Sequence, residues 1–120
     1  MRDFKTLQVW QKAHQLTLAL YGTTAAFPKD EMYGLTSQMR RCVVSISSNI
    51  AEGCGREGDA ELARFLQIAM GSASELEYQL LLVRDLGYVG DETYTQLEQS
   101  LIEVKRMLNS FIYKVRQAKG

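Results

Sequence analysis

From Tyr94 to Val115 the chain returns an apolar side chain every three or four residues: Tyr94, Leu97, Leu101, Val104, Leu108, Phe111 and Val115. This seven-residue repeat, held over three heptads, keeps its stripe on one side only if the backbone is α-helical. It also demands a partner helix along its whole length. A strand would send alternate members of the series to opposite faces.

Three earlier segments carry the same periodicity. In the first, about 7–26, the stripe is Leu7, Trp10, Ala13, Leu16/Thr17, Leu20, Thr24 and Phe27. It stops before Pro28, because proline disfavours helix in the residue preceding it. The second, about 35–52, aligns Leu35, Met39, Cys42/Val43, Ile46 and Asn49/Ile50, with Gly53 as its expected stop. The third, about 59–86, aligns Leu62, Leu66, Ala69, Ala73, Leu76, Leu80 and Val83. Asp59 is its expected N-cap, and the segment ends before Gly87. The fourth occupies about 91–117.

Helices joined by such short breaks pack as antiparallel neighbours, and a repeat near 3.5 residues selects shallow crossings of about 20°. One proline and nine glycines in 120 residues leave the helices uninterrupted. The expected architecture is therefore all-α: one domain over residues 1–120, folded as an antiparallel up-down-up-down four-helix bundle. Apolar residues also stand off the main stripes, at Leu18, Phe65, Ile68, Leu82, Ile102 and Ile112. They imply either a wide core or an interface between subunits.

Charge and composition narrow the function classes. With 14 basic and 14 acidic residues the formal charge is zero, so no global field draws the protein to polyanions. Any attraction to nucleic acid or membrane must come from a local patch, and few aromatics are expected at the surface for base stacking. No stretch approaches the run of about 18 apolar residues that a membrane span requires. The charged opening MRDFKTLQVW lacks the apolar run of a signal peptide, so the expected address is the cytoplasm, with no membrane partner. Two cysteines, Cys42 and Cys54, make no disulfide framework.

Catalytic and metal chemistry find little to work with. His14 is the only histidine, and a zinc site or hydrolytic triad needs more ligands or an oriented nucleophile around it. Di-iron bundles need Glu-x-x-His pairs on two helices, which one histidine cannot supply. The glycines of EGCGREG follow no strand and match neither a phosphate loop nor a dinucleotide fingerprint. No cofactor or catalytic residue is expected.

Two polar features remain. Arg41, Ser45, Asn49 and Glu52 fall near one face of the second helix. They are readable as a buried network that fixes register, a subunit contact or a ligand-binding cluster. In the last helix, residues 91–104 hold Asp91, Glu92, Glu98 and Glu103 and no base, whereas 105–120 hold Lys105, Arg106, Lys114, Arg116 and Lys119 and no acid. Bases at a helix C-terminus complement its dipole. The same residues, with Lys5 and Lys12, could form a basic rim that meets phosphates.

The stretch FPKDEMYGLTSQMRRCVVSISSNIAEGCGR, followed by FLQIAMGSASELEYQL, resembles the bacterial 23S rRNA-intervening-sequence proteins; FKTLQVWQKAHQL and LGY fit the same pattern. The resemblance spans roughly the whole chain and implies a four-helix bundle assembled as a homopentameric ring. It also implies kinship with the accessory variability protein of diversity-generating retroelements, which works with a reverse transcriptase and binds nucleic acid through a basic surface. It carries over no catalytic residue. The positions matching its pattern are Arg41, Ser45, Asn49, Glu52 and Gly53, then Gly71, Ser72 and Glu75, expected as bundle or interface determinants.

The expected function is thus a non-enzymatic, self-associating adaptor for RNA, DNA or a nucleic-acid-handling protein. The alternative is a purely structural, protein-binding ring. An enzyme sharing Arg41, Asn49 and Glu52 between subunits is the third reading.

Overall fold

The apolar stripes close on a common axis. Leu20, Met39, Ile46, Ile50, Leu66, Leu76, Leu80, Leu101 and Leu108 are fully buried there, and mutual burial is what holds together helices that would be marginal alone in water. The computed structural model describes residues 2–118. Helix α1 spans Gln8–Thr24, α2 Leu35–Gly55, α3 Asp59–Asp85 and α4 Asp91–Gln117, with short 3₁₀ turns at Phe4–Thr6 and Lys29–Glu31. No strand occurs among the described residues. α2 packs against α1 and α3, and α4 against α3 and α1, so four antiparallel helices close a square. The bundle measures 48 × 23 × 20 Å, its long axis set by the 27-residue helices α3 and α4.

Several helix ends differ from expectation. α1 stops at Thr24, whose Oγ1 donates back to the Leu20 carbonyl at 2.8 Å. Gly53 is not a stop. α2 runs through it to Gly55, and the glycine serves close approach: a Cβ there would stand 3.0 Å from the Cβ of Phe65 and 3.1 Å from Cδ1 of Leu62. The turn itself falls on Gly58, whose φ of 83° suits glycine. Gly58 also takes the N-cap position expected of Asp59 and offers no side-chain cap. Asp59 and Glu61 instead lie in the first turn of α3, where negative charge suits the positive end of the dipole.

The stripe on α4 shifts too. Ile112 is buried and Phe111 only half-buried, because a helix of 3.6 residues per turn drifts by about 20° per heptad against a strict 3.5 repeat. On α1 it is Val9 that is buried, with Leu7 and Trp10 packed at the margin. Of the other apolar residues off the stripes, Phe65 and Leu82 are half-buried, while Leu18, Ile68 and Ile102 are exposed.

One carboxylate ties the loops at one end together. Glu31 accepts the Leu35 N–H at the start of α2 (3.2 Å) through Oε1 and the Tyr88 hydroxyl (2.9 Å) through Oε2. The Phe27 and Tyr88 rings pack at 5.5 Å beside it. The α1–α2 connection is thereby fixed to the α3–α4 connection, a link between residues 57 positions apart in sequence.

Candidate functional site

The polar cluster expected on α2 divides when its partners are followed. Asn49 Nδ2 donates to the Ser45 carbonyl (2.8 Å) and to Ser45 Oγ (3.0 Å). Ser45 Oγ in turn lies 2.9 Å from Ser72 Oγ on α3. Cys42 adds a thiol bond to the Ser72 carbonyl at 3.0 Å. Arg41 faces outward and donates to Ser37 Oγ at 2.7 Å. Glu52 pairs with Arg56 at 2.9 Å, and Glu75 accepts from Gln79 Nε2 at 3.3 Å. The fold therefore joins Ser45 and Asn49 through Ser72. Arg41 and Glu52 each engage a residue four positions away, whereas Glu75, bonded to Gln79, also stands near the Cys42 thiol of α2.

Such a seam fixes register, since a slip of either helix would strand half-buried polar groups. It also shapes the thiol. Burial first, then the nearby Glu75 carboxylate, pushes the Cys42 pKa up to about 12. A thiol kept protonated at neutral pH is a weak nucleophile and metal ligand. Burial raises the Cys54 thiol as well, against the opposing charge of Arg2. His14 is exposed and stacks on Trp10, rings 5.0 Å apart and 7° from parallel. No group of three or more His, Cys, Asp or Glu that could hold a metal stands together among the described residues.

The basic residues of α4 are distributed around the helix. Lys105 Nζ sits 2.6 Å from Glu77 Oε1 on α3. Arg106 lies in an outer groove with Gln99, Ile102 and Glu103. Lys114 borders the groove toward α1, beside Leu7, Val9 and Phe111, whereas Arg116 borders the one toward α3, beside Asp59, Ala63 and Arg64. Lys119 lies outside the described residues. The two residues expected to assist are paired with carboxylates: Lys12 with Glu103 at 3.5 Å and Lys5 with Asp3 at 3.9 Å.

Exposed aromatics are more numerous than expected. Tyr33 is 94% exposed, Tyr113 65%, Tyr78 61% and Tyr21 41%. The helical pattern predicts only what faces the core, and a tyrosine keeps part of its ring in water at little cost because its hydroxyl stays hydrated. Along α3 and at its C-cap, Ile68, Tyr78, Leu81 and Leu86 are all exposed. Of these, only Ile68 stands in the sequence as an apolar residue off the main stripe. No helix among the described residues is long and apolar enough to cross a membrane.

Comparison with known proteins agrees with this architecture. The chain superposes on a crystal structure from Bacteroides thetaiotaomicron, a protein of unknown function from the S23 ribosomal protein family, with a TM-score of 0.80. The two share 24% identity over 88% of this chain and 95% of the other, a likeness of fold. No protein with a curated description matches. The sequence pattern of the 23S rRNA-intervening sequence protein matches residues 5–110. Because that match takes in all or most of each helix, the chain belongs to the 23S rRNA-intervening sequence protein family.

Proposed function

We propose that the protein is a non-enzymatic cytoplasmic bundle that self-associates, as a pentamer, and acts as an adaptor for RNA or for a protein that handles RNA. The observation behind self-association is the set of large apolar side chains that α3 and its C-cap leave in solvent, Ile68, Tyr78, Leu81 and Leu86, beside a stripe that fills the core. A helix that exposes several large apolar side chains beyond its core stripe has surface to offer a second partner. The family resemblance supplies the stoichiometry.

Light scattering tests it directly. Five chains of 13.6 kDa make a particle of about 68 kDa, and Tyr78→Glu with Leu81→Glu should reduce it to the mass of one chain. A wild-type monomer at micromolar concentration would refute the ring. For the adaptor role, fluorescence anisotropy with structured RNA, single-stranded RNA and duplex DNA across a salt series is decisive. Several phosphate contacts per particle give affinity that falls linearly on a log–log salt plot.

A purely protein-binding ring is the second reading. The zero formal charge and the dispersal of the α4 bases over different grooves favour it. Absence of nucleic-acid binding at low salt, with a protein partner retained after nuclease treatment, would select this reading.

A further inference from the structure

On the outer face of the N-terminal half of α2, Tyr21, Met32, Tyr33, Arg40, Arg41 and Val44 line an open groove. Arg40 lies over the Tyr21 ring at 4.6 Å and is pinned by bonds to Thr24 Oγ1 (2.9 Å) and the Tyr21 carbonyl (3.3 Å). Arg41 donates to Ser37 Oγ. No acidic residue lines the groove. Neither arginine is within ion-pair distance of a carboxylate among the described residues. Thr36 lines the same groove, 6% exposed, and its hydroxyl has no partner among the described residues.

The backbone that carries Tyr33, 94% exposed, is anchored two residues earlier by Glu31, which is bonded both to the start of α2 and to Tyr88. Tyrosine, methionine and arginine are the residue types enriched at the centres of protein interfaces.

We infer that this groove docks an acidic, amphipathic protein segment, its carboxylates meeting Arg40 and Arg41 and its apolar side chains meeting Tyr33, Met32 and Val44. The inference rests on the adaptor reading and deepens it by giving the partner's chemistry. A single-stranded nucleic acid fits less well. Its phosphates need cations along the track, and this groove continues beyond the two arginines into Ser37 and Ser45. Aliphatic Met32 and Val44 also call for an aliphatic partner, which bases do not offer.

The test is selection from a random-peptide display library on the intact wild-type protein, followed by titration of the selected peptides and of an oligouridylate. Selected peptides should combine Asp or Glu with Leu, Ile or Phe at helical spacing. Arg41→Glu and Tyr33→Ala should each weaken them about tenfold or more, the scale of losing one interface anchor, with unchanged melting and unchanged particle mass. Peptides lacking acidic residues, or indifferent to both substitutions, would overturn the proposal. Oligouridylate binding lost with the same substitutions would reassign the groove to RNA. A fall in particle mass on Tyr33→Ala would make it a contact between copies. Because mass is read separately, failure of peptide docking is distinguishable from failure of self-association.

Discussion

Where α2 meets α3, Gly53 stands so close that a Cβ would come within 3.0 Å of Phe65, and Ser45 and Ser72 approach to 2.9 Å. Where α2 meets α1, the polar contact is made by a long side chain, Arg40 reaching Thr24 and Tyr21. Small residues bring backbones together and leave no slack, so the α2–α3 seam has one depth and one register. A long side chain can follow a helix that moves a little. α1 is also shorter, 17 residues against 27 for α3, and its entry is held from outside by the Arg2 N–H bonded to the Cys54 carbonyl at 3.0 Å. The α2–α3 pair is the rigid half of the molecule, and α1 is the adjustable one.

The most severe break is a charge at the centre of the rigid half. Leu76→Asp buries an unpaired carboxylate at a fully enclosed site and should cost more than about 4 kcal/mol, leaving no cooperative urea transition. Glycine substitution then separates the α2–α3 seam from open helix surface by sign. Gly53→Ala forces a Cβ against Phe65 and Leu62 and should destabilise by about 2 kcal/mol. Gly22→Ala in α1, where a Cβ meets nothing within 4 Å, should stabilise by about 0.5 kcal/mol through helix propensity. Equal signs would mean that Gly53 does not limit how closely α2 and α3 approach.

Alkaline pH sharpens the same contrast. The Cys42 pKa is raised to about 12 from an ordinary 9.0, so the folded state holds a proton that the unfolded chain releases. Its contribution is complete below pH 9 and is lost as pH rises toward 12, with a slope of at most about 1.4 kcal/mol per pH unit. Cys42→Ala should flatten that decline. At pH 8 a thiol reagent should reach Cys54, under the entry to α1, by local opening, and Cys42 only at the global unfolding rate. Simultaneous labelling would merge the two halves into one cooperative unit.

Smaller effects complete the series. Ser72→Ala removes the bridge to Ser45 and should cost about 1 kcal/mol, read as a lowered urea midpoint with unchanged slope. Glu52→Ala breaks a half-exposed ion pair with Arg56 and should change stability by no more than about 0.5 kcal/mol.

The candidate site was legible only in part. Ser45 and Asn49 stood out because polar residues beside an apolar stripe need partners. Ser72, which completes their contact, shows in the sequence only as a position matching the family pattern, since its role depends on the register between α2 and α3. Arg41 and Glu52 share the same side of α2, yet their side chains satisfy themselves locally with Ser37 and Arg56. The bases of α4 read as one cluster along the chain. At 3.6 residues per turn, however, Lys114 and Arg116 diverge to different grooves. The groove of Tyr21, Tyr33, Arg40 and Arg41 left no periodic signal, because it draws on a helix end, a connection and the outer face of another helix.

What the sequence by itself determined is the set of elements: four helices, their stripes and their order. Hydrophobic periodicity acts within one helix and is written in consecutive residues. Tertiary structure alone decided how near the helices stand, why Gly53 is a contact and not a stop, that Ile112 and not Phe111 turns inward, and that Glu31 links loops distant in sequence. Those outcomes depend on distances between segments, and the free energy of such contacts exists only once the segments are packed together.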